Sequence, residues 1–419
     1  MDGFLSQAER RCRPRDRALL RELALGTVRW LRRLDHVLSI ASERPLREID
    51  PVLVGVLRLA VYQLLFLDRV PSHAAVDEAV KQARARTHRG GAGFVNGVLR
   101  RVARQRDLAS WPVELQDPVK ELAVRWSHPD LLVRRWLERL GAEATERLLE
   151  VNNRPRGAHL LSFSDRGGPE RLAERLRSEG CEVAFSDLAP MGLRVLSGRP
   201  WATAAFEEGE FYVQDEASQL SALLPMPSAG ERVLDVAAAP GGKSFSLLAV
   251  EPDLSITLLD ISLRRTARIR ENLRRLRRTA RLLIADGGRP ALRATFDRVI
   301  LDLPCSGSGT LRKHPELKWR ISEAEIERLS GSGRRLVRAA AGLVKKGGYL
   351  VVISCSLEPE ENEAVVDSVL ETERGFRRFA LEDSVSATVA DCVEGPGLWR
   401  LWTADEHDGF TVQVLERHS

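Results

Sequence analysis

Apolar residues recur at three- and four-residue steps near the start of the chain. Leu19, Leu20, Leu23, Val28, Leu31 and Leu34 share one helical face, and the period returns at residues 52–67 and 72–86. Pro71-Ser72 ahead of the last stretch is a helix start. Gly90-Gly-Ala-Gly93 interrupts the pattern before an amphipathic stretch at 94–102. Residues 16–106 therefore predict a helical bundle. Residues 108–153 keep the helical period but carry Pro112, Pro118 and Pro129, which suits a connecting arm. From 157 to 199 a short apolar strand (158–163), a charged helix (169–178) and a strand-like stretch (181–185) predict a small α+β insert.

Beyond Glu231 the pattern alternates regularly. Strands are expected at 232–237, 256–260, 282–286, 297–303 and 349–353, with helices after Gly242, after Ser262, at 323–344 and at 359–370. Alternation at this spacing predicts an α/β, Rossmann-like domain with a mostly parallel sheet covered by helices on both faces. The expected division is a helical domain at 1–107, a helical linker at 108–155, a small α+β subdomain at 156–205 and the α/β domain at 206–419.

Length and composition narrow the function classes. A chain of 419 residues suits two or three domains, and 43% hydrophobic with 29% charged residues is ordinary globular composition. The apolar run 53–67 is broken by Arg58 and Gln63 and falls short of the roughly 20 residues a membrane span needs. Residues 1–17 lack the apolar core of a secretory signal. No membrane association, a cytoplasmic location and a monomer are the expectations. The five cysteines (12, 181, 305, 355 and 392) form no C-x-x-C pair, so neither a disulfide framework nor a metal site is expected. The net charge is +5, and residues 1–150 hold 27 basic against 20 acidic residues. That balance permits a polyanionic partner. Only seven of the 64 basic residues are lysine, an excess that phosphate contact and genomic composition bias would both produce.

The candidate chemistry gathers at the carboxyl ends of the expected strands, the rim of the crevice in an open α/β sheet. The first turn reads Asp235-Val-Ala237-Ala238-Ala239-Pro240-Gly241-Gly242-Lys243. Small residues opening a helix let a ligand approach backbone N–H groups. A P-loop would need glycine at Ala237, and G-x-G-x-x-G is absent, so the turn suits a ligand without a pyrophosphate, such as S-adenosylmethionine. Asp260 ends the next strand, where a carboxylate can accept both ribose hydroxyls of a nucleoside; a helix-start acid is the alternative. Asp286 is placed to contact the adenine or to serve as a turn residue. Asp302, expected to be buried, needs a partner such as a polar ligand edge. Cys305 and Cys355 each end a strand-like run in a Ser/Pro-rich turn, where two thiols can make one site.

These residues carry a resemblance. Leu234-Asp-Val-Ala-Ala-Ala-Pro-Gly-Gly-Lys243, Leu301-Asp-Leu-Pro-Cys-Ser-Gly-Ser-Gly-Thr310, His314-Pro-Glu-Leu-Lys-Trp319 and Ser354-Cys-Ser-Leu-Glu-Pro-Glu-Glu-Asn362 resemble RNA 5-methylcytosine methyltransferases, as does Gln214-Asp-Glu-Ala-Ser218. Val61-Tyr-Gln-Leu-Leu-Phe66, His73-Ala-Ala-Val-Asp-Glu78 and Phe94-Val-Asn-Gly-Val-Leu-Arg100 resemble the NusB domain of antitermination factors. The pairing is similar to the RsmB/Sun family of bacterial 16S ribosomal RNA (cytosine-5)-methyltransferases. The resemblance implies a class I methyltransferase domain, a NusB-like RNA-binding domain at 1–107 and an RRM-like subdomain at 156–205. It further implies S-adenosylmethionine as cofactor and free or incompletely assembled 16S ribosomal RNA as partner. Residues 237–243, Asp260, Asp286 and Asp302 would then hold the cofactor.

By the same resemblance Cys355 is the nucleophile that adds to carbon 6 of cytosine. Asp302 bonds or protonates N3, Cys305 assists release, and Lys243 helps orient the base. The target base must leave its stack to reach such a site. The Arg-rich stretch 264–278 is either a phosphate track or a solvated helix face. Leu303 replaces the family's usual alanine and is expected to be tolerated. Asp408-Gly-Phe410 resembles the last strand of the family, whereas 384–407 match it poorly. A methyltransferase for transfer RNA or another ribosomal site, and a non-catalytic RNA-binding or antitermination protein, are the competing readings.

Overall fold

The computed structural model describes residues 2–87, 89–155, 157–381 and 390–418, in two compact units. The first comprises residues 1–154 together with 311–320. Its helices are Asp2–Arg11, Arg17–Arg29, Leu31–Ser42, Pro51–Phe66, Ser72–Arg86, Arg89–Arg104, Pro118–Arg125 and Asp130–Val151. Leu34, Leu38, Leu57, Val61, Val95 and Leu99 bury their shared faces in one core. The helix Asp2–Arg11 was not expected.

The glycines at 90–93 do not break the chain. They lie within Arg89–Arg104, and at Gly91 a Cβ would stand 2.5 Å from Thr87 Oγ1, which favours glycine there.

Three departures from the expected division follow from packing. Residues 108–154 are no free linker: Trp111 is 1% exposed in the bundle core, and Arg33 donates to its carbonyl at 2.7 Å. Pro118 opens one helix and Pro129 is the cap just before the next, positions that need no intrahelical N–H; Asp117 caps the first helix by accepting from Val119 and Lys120. Residues 311–320 also belong to this unit, although they lie inside the α/β sequence. There Lys318, fully buried, donates to Asn153 Oδ1 at 2.6 Å and to the carbonyls of Ser127 and Arg29, and Trp319 Nε1 donates to Val28 O at 2.9 Å.

The second unit comprises residues 155–310 and 321–419. It opens with strands β1 (His159–Leu161), β2 (Glu182–Phe185), β3 (Gly192–Ser197) and β4 (Tyr212–Val213), an antiparallel sheet in the order β2-β3-β1-β4. The helix Gly168–Ser178 packs on it through Leu172 and Leu176 against Leu160, Val183 and Leu193. Because β4 pairs with β1, this sheet runs past the expected boundary at 205.

The main sheet holds β5 (Arg232–Val236), β6 (Ser255–Asp260), β7 (Arg281–Ile284), β8 (Phe296–Asp302), β9 (Val344–Ser354), β10 (Phe376–Arg378), β11 (Val393–Gly395), β12 (Leu398–Leu401) and β13 (Phe410–Arg417). Its order is β11-β12-β13-β9-β8-β5-β6-β7, with β10 also on β13. Strands β5 to β9 run parallel, and β13 enters antiparallel beside β9. Alternate residues feed two cores: Val233, Ile300 and Val351 on one face, Leu234, Leu301 and Val352 on the other. Burial on both faces makes these strands continuous apolar runs. Strands β11 and β12 were not expected, and residues 384–389 of the poorly matching segment lie outside the described residues.

The order reverses at β5, whose neighbours are β6 and β8. Such a switch point leaves a crevice at the carboxyl ends of the strands.

Candidate active site

The turn after β5 is built to present backbone. Ala237 takes a left-handed φ of 62°, and Gly241, at φ 104°, precedes the helix Gly242–Val250. Alanine tolerates that φ at a cost; at Gly241 a Cβ would also meet the Phe245 ring at 2.7 Å. The turn is tied to β6: Ala238 N donates to Leu259 O at 3.0 Å, and Ala239 N donates to Asp260 Oδ2 at 3.2 Å. Asn272 holds Pro240 O from the next helix at 3.1 Å.

A cavity of about 420 Å³ opens over these strand ends. It is lined by Ala237, Ala239, Asp286, Asp302, Cys305 and Cys355, so the turn, two acids and both thiols share one space. Its size lies within the range of small-molecule pockets. Ala238, Pro240, Gly241, Gly242, Lys243 and Asp260, also expected at the site, do not line it. Asp260 is fully buried: Oδ1 accepts from Ser262 N at 2.8 Å and pairs with Arg265 at 3.1 Å. Of these partners Arg265 is 53% exposed. Asp286 Oδ1 accepts from Gly288 N at 2.9 Å.

Asp302 is not the buried acid expected. Its side chain is 36% exposed, and its partner is Lys243, whose Nζ donates to Oδ2 at 3.1 Å. Lys243 in turn is 8% exposed, donates to Ser218 Oγ at 2.9 Å and lies 4.9 Å from the Phe410 ring centre. Gln214 donates to Ser218 at 3.2 Å and accepts from Ser246 at 3.1 Å. The lead-in and final-strand motifs thus converge on the lysine that holds Asp302.

The Cys305 and Cys355 sulfurs stand 3.4 Å apart. Register explains this: β8 pairs with β9 so that Asp302 faces Ile353, and the next few residues of both chains turn over the same edge. The hydrogen bond with Cys305 and burial push the Cys355 thiol well up, with Asp302 adding to the effect and Lys243 opposing it.

Ile261, Arg335 and Leu336 also line the cavity and were not read from the sequence, and Arg265 of the Arg-rich stretch lines it too. Ile261, 60% exposed, follows Asp260 directly, and an exposed apolar residue after a strand-end acid was the signal available. Leu303 lines the cavity as well, beside Asp302 and Cys305. In the Arg-rich stretch, Arg275 donates to Phe206 O and Phe211 O, and Arg278 pairs with Asp165. Part of that stretch therefore braces the fold.

Behind the turn, Asp235 is 1% exposed and accepts from Ser244 Oγ at 2.7 Å. Burial pushes its carboxyl up to about 7, while Ser244 pulls it down and Asp302 adds to the rise. An unfolded aspartate titrates at about 3.9, so the folded state holds the extra proton, and this contribution to stability fades as pH rises from about 4 to about 7. Asp235→Asn is expected to remove that slope, its Tm gaining on the wild type by at least about 3 °C between about pH 5 and about pH 8. Thermal melts across that range check it, and parallel Tm curves would overturn it.

Among the described residues no group of His, Cys, Asp and Glu is placed to hold a metal, and no helix is long and apolar enough to cross a membrane.

Known proteins match this chain over most of its length. The family described as 16S rRNA methyltransferase RsmB/F matches residues 222–415, and the NusB family matches residues 2–104. A probable ribosomal RNA small subunit methyltransferase B of Bacillus subtilis (strain 168) is 35% identical over 408 residues, covering 96% of this chain and 91% of its own. Ribosomal RNA small subunit methyltransferase B of Proteus mirabilis (strain HI4320) is 32% identical, covering 88% and 87%. The crystal structure of PH0851 superposes with a TM-score of 0.78 at 27% identity, over 96% of this chain and 90% of that one.

Proposed function

The chain belongs to the ribosomal RNA small subunit methyltransferase B family, and from that premise we propose that it methylates carbon 5 of one cytosine in 16S ribosomal RNA through a covalent adduct with Cys355. The observation that carries the mechanism is the meeting of Asp302, Cys305 and Cys355 in one cavity with Ala237 and Ala239 of the turn after β5.

S-adenosylmethionine, when bound, supplies an electrophilic methyl group. The residues present fit it: a turn that lacks the P-loop and G-x-G-x-x-G glycines, Asp286 and the exposed Ile261 at the cavity wall, and buried Asp260 bonded to the turn at Ala239 N. Ala237, Ala239 and Asp286 would hold it at the cavity wall.

Carbon 5 of cytosine is a poor nucleophile, and covalent addition at carbon 6 overcomes this. The Cys355 sulfur adds to carbon 6, which makes carbon 5 enamine-like. Asp302, bonded to Lys243 Nζ at 3.1 Å, takes the proton of the Cys355 thiol and shares it with N3, so that charge does not build on the ring as sulfur adds, and takes it back from N3 when Cys355 leaves. Cys305 takes the carbon-5 proton, directly or through water, and elimination then frees Cys355. The NusB-like helices bind and position the RNA. The protein acts as a single chain in the cytoplasm on free or incompletely assembled RNA.

Bisulfite sequencing of ribosomal RNA from a gene-deletion strain tests the activity. One small-subunit cytosine is expected to lose its methyl group and to regain it on complementation. An unchanged methylation map would overturn the reading.

A further inference from the structure

Each cysteine of the site is followed by a serine, and both serines reach the same carboxylate. Ser306 donates to Glu361 twice, through its N–H to Oε1 at 2.8 Å and through Oγ to Oε2 at 2.6 Å. Ser356 Oγ donates to that same Oε2 at 2.5 Å, and the two hydroxyl oxygens stand 3.3 Å apart. Glu361 is 2% exposed.

The surrounding backbone closes the same joint. Leu357 N donates to Ser308 Oγ at 2.9 Å, Gly309 N donates to Cys355 O at 2.9 Å, and Asn362 Nδ2 donates to Ser356 O at 2.9 Å. The turn after β8 and the segment after β9 are thus bonded to one another by the two bonds from Ser306 to Glu361 and directly by Leu357 N to Ser308 and Gly309 N to Cys355.

We propose that Glu361 is the positioning residue that locks the Cys305 and Cys355 turns together, so that the attacking and releasing thiols address one base without rearrangement. The inference rests on the two-thiol reading above. A buried carboxylate is costly unless its oxygens are bonded, and three donors from two strands satisfy this one. Only an acceptor-only group suits that set. A glutamine would turn an NH₂ group towards one of the donors, and the joint would loosen on one side.

The kinetic consequence is specific, because the two thiols act at different steps. Adduct formation needs Cys355, whereas departure of the carbon-5 proton needs Cys305 correctly placed against a base already held by Cys355. A displacement of about 1 Å in such a constellation costs about 10²-fold. Loosening the joint should therefore slow turnover and raise the share of enzyme caught as adduct, whereas simple loss of folded protein would lower both together.

The test compares Glu361→Gln, Ser306→Ala and Ser356→Ala with wild type, using full-length protein, a 16S ribosomal RNA transcript and radiolabelled S-adenosylmethionine. Methyl transfer, the KM for the cofactor and the fraction of denaturant-stable protein–RNA complex are measured, with Cys305→Ala and Cys355→Ala as references. Glu361→Gln is expected to lower kcat by about 10²-fold, to leave that KM within about twofold, and to hold a larger adduct fraction than wild type. Ser306→Ala should shift in the direction of Cys305→Ala, and adding it to Glu361→Gln should cost little more. Wild-type kcat and adduct fraction in Glu361→Gln would overturn the proposal, as would a fall in kcat matched by lost folded protein with an unchanged adduct fraction. If Glu361→Gln does not fold, the two serine variants decide: wild-type behaviour in both overturns it. If Cys305→Ala traps no RNA, the two-thiol reading itself falls. If Cys305→Ala traps RNA while Glu361→Gln behaves as wild type, only the role of Glu361 falls.

Discussion

Cys355→Ala is expected to abolish turnover, a fall on the order of 10³-fold or more, and to leave no denaturant-stable complex with RNA. Cys305→Ala is expected to stop turnover as well, but with the opposite chemical signature. The base would still be attacked and methylated, the carbon-5 proton would lack its acceptor, and the complex would accumulate. The asymmetry follows from the proposed steps, since sulfur addition precedes proton loss and only the second step needs Cys305. Denaturing gels of each variant with RNA and S-adenosylmethionine check both outcomes. An adduct with Cys355→Ala and none with Cys305→Ala would reverse the assignment. The 3.4 Å between the sulfurs makes this test necessary, because proximity alone does not say which thiol attacks.

Asp302→Asn is expected to lower the single-turnover rate by about 10²–10⁴-fold, the range for a lost proton-handling group. Asparagine keeps the size and one acceptor oxygen but loses the charge that holds Lys243 Nζ at 3.1 Å and cannot exchange a proton with N3. Sulfur addition to carbon 6 should therefore slow, and the adduct should form slowly instead of accumulating. Quenched single-turnover assays of methyl transfer and adduct measure both. A variant with near wild-type rate would remove Asp302 from the chemistry.

Much of this site is legible in the chain because its parts are local. Small residues at 237–242 after an apolar strand announce a turn that presents backbone, and both cysteines stand just past apolar runs of strand character. What misled were residues whose role is set by packing. Gly90-Gly-Ala-Gly93 reads as a break but lies within a helix, where Gly91 makes room for Thr87. Pro118 and Pro129 read as breakers, yet Pro118 opens one helix and Pro129 is the cap just before the next. Residues 311–320 read as part of the α/β domain, yet buried Lys318 and Trp319 seat them among the helices.

Glu361 shows the limit most plainly. It stands within a recognisable motif, but its partners are the serines at 306 and 356, and no spacing rule assigns one carboxylate to two turns.

By itself the sequence determined the helical period, the strand and helix alternation, the turn at 237–243 and the pair of strand-end thiols, because each depends on neighbours a few residues away. The tertiary structure alone decided that Asp302 pairs with Lys243, that the two sulfurs lie 3.4 Å apart and that Glu361 joins their turns. The physical reason is register. Parallel strands β8 and β9 are separated by a long crossover, and only their hydrogen-bonded alignment, Asp302 against Ile353, carries residues 305 and 355 to the same edge.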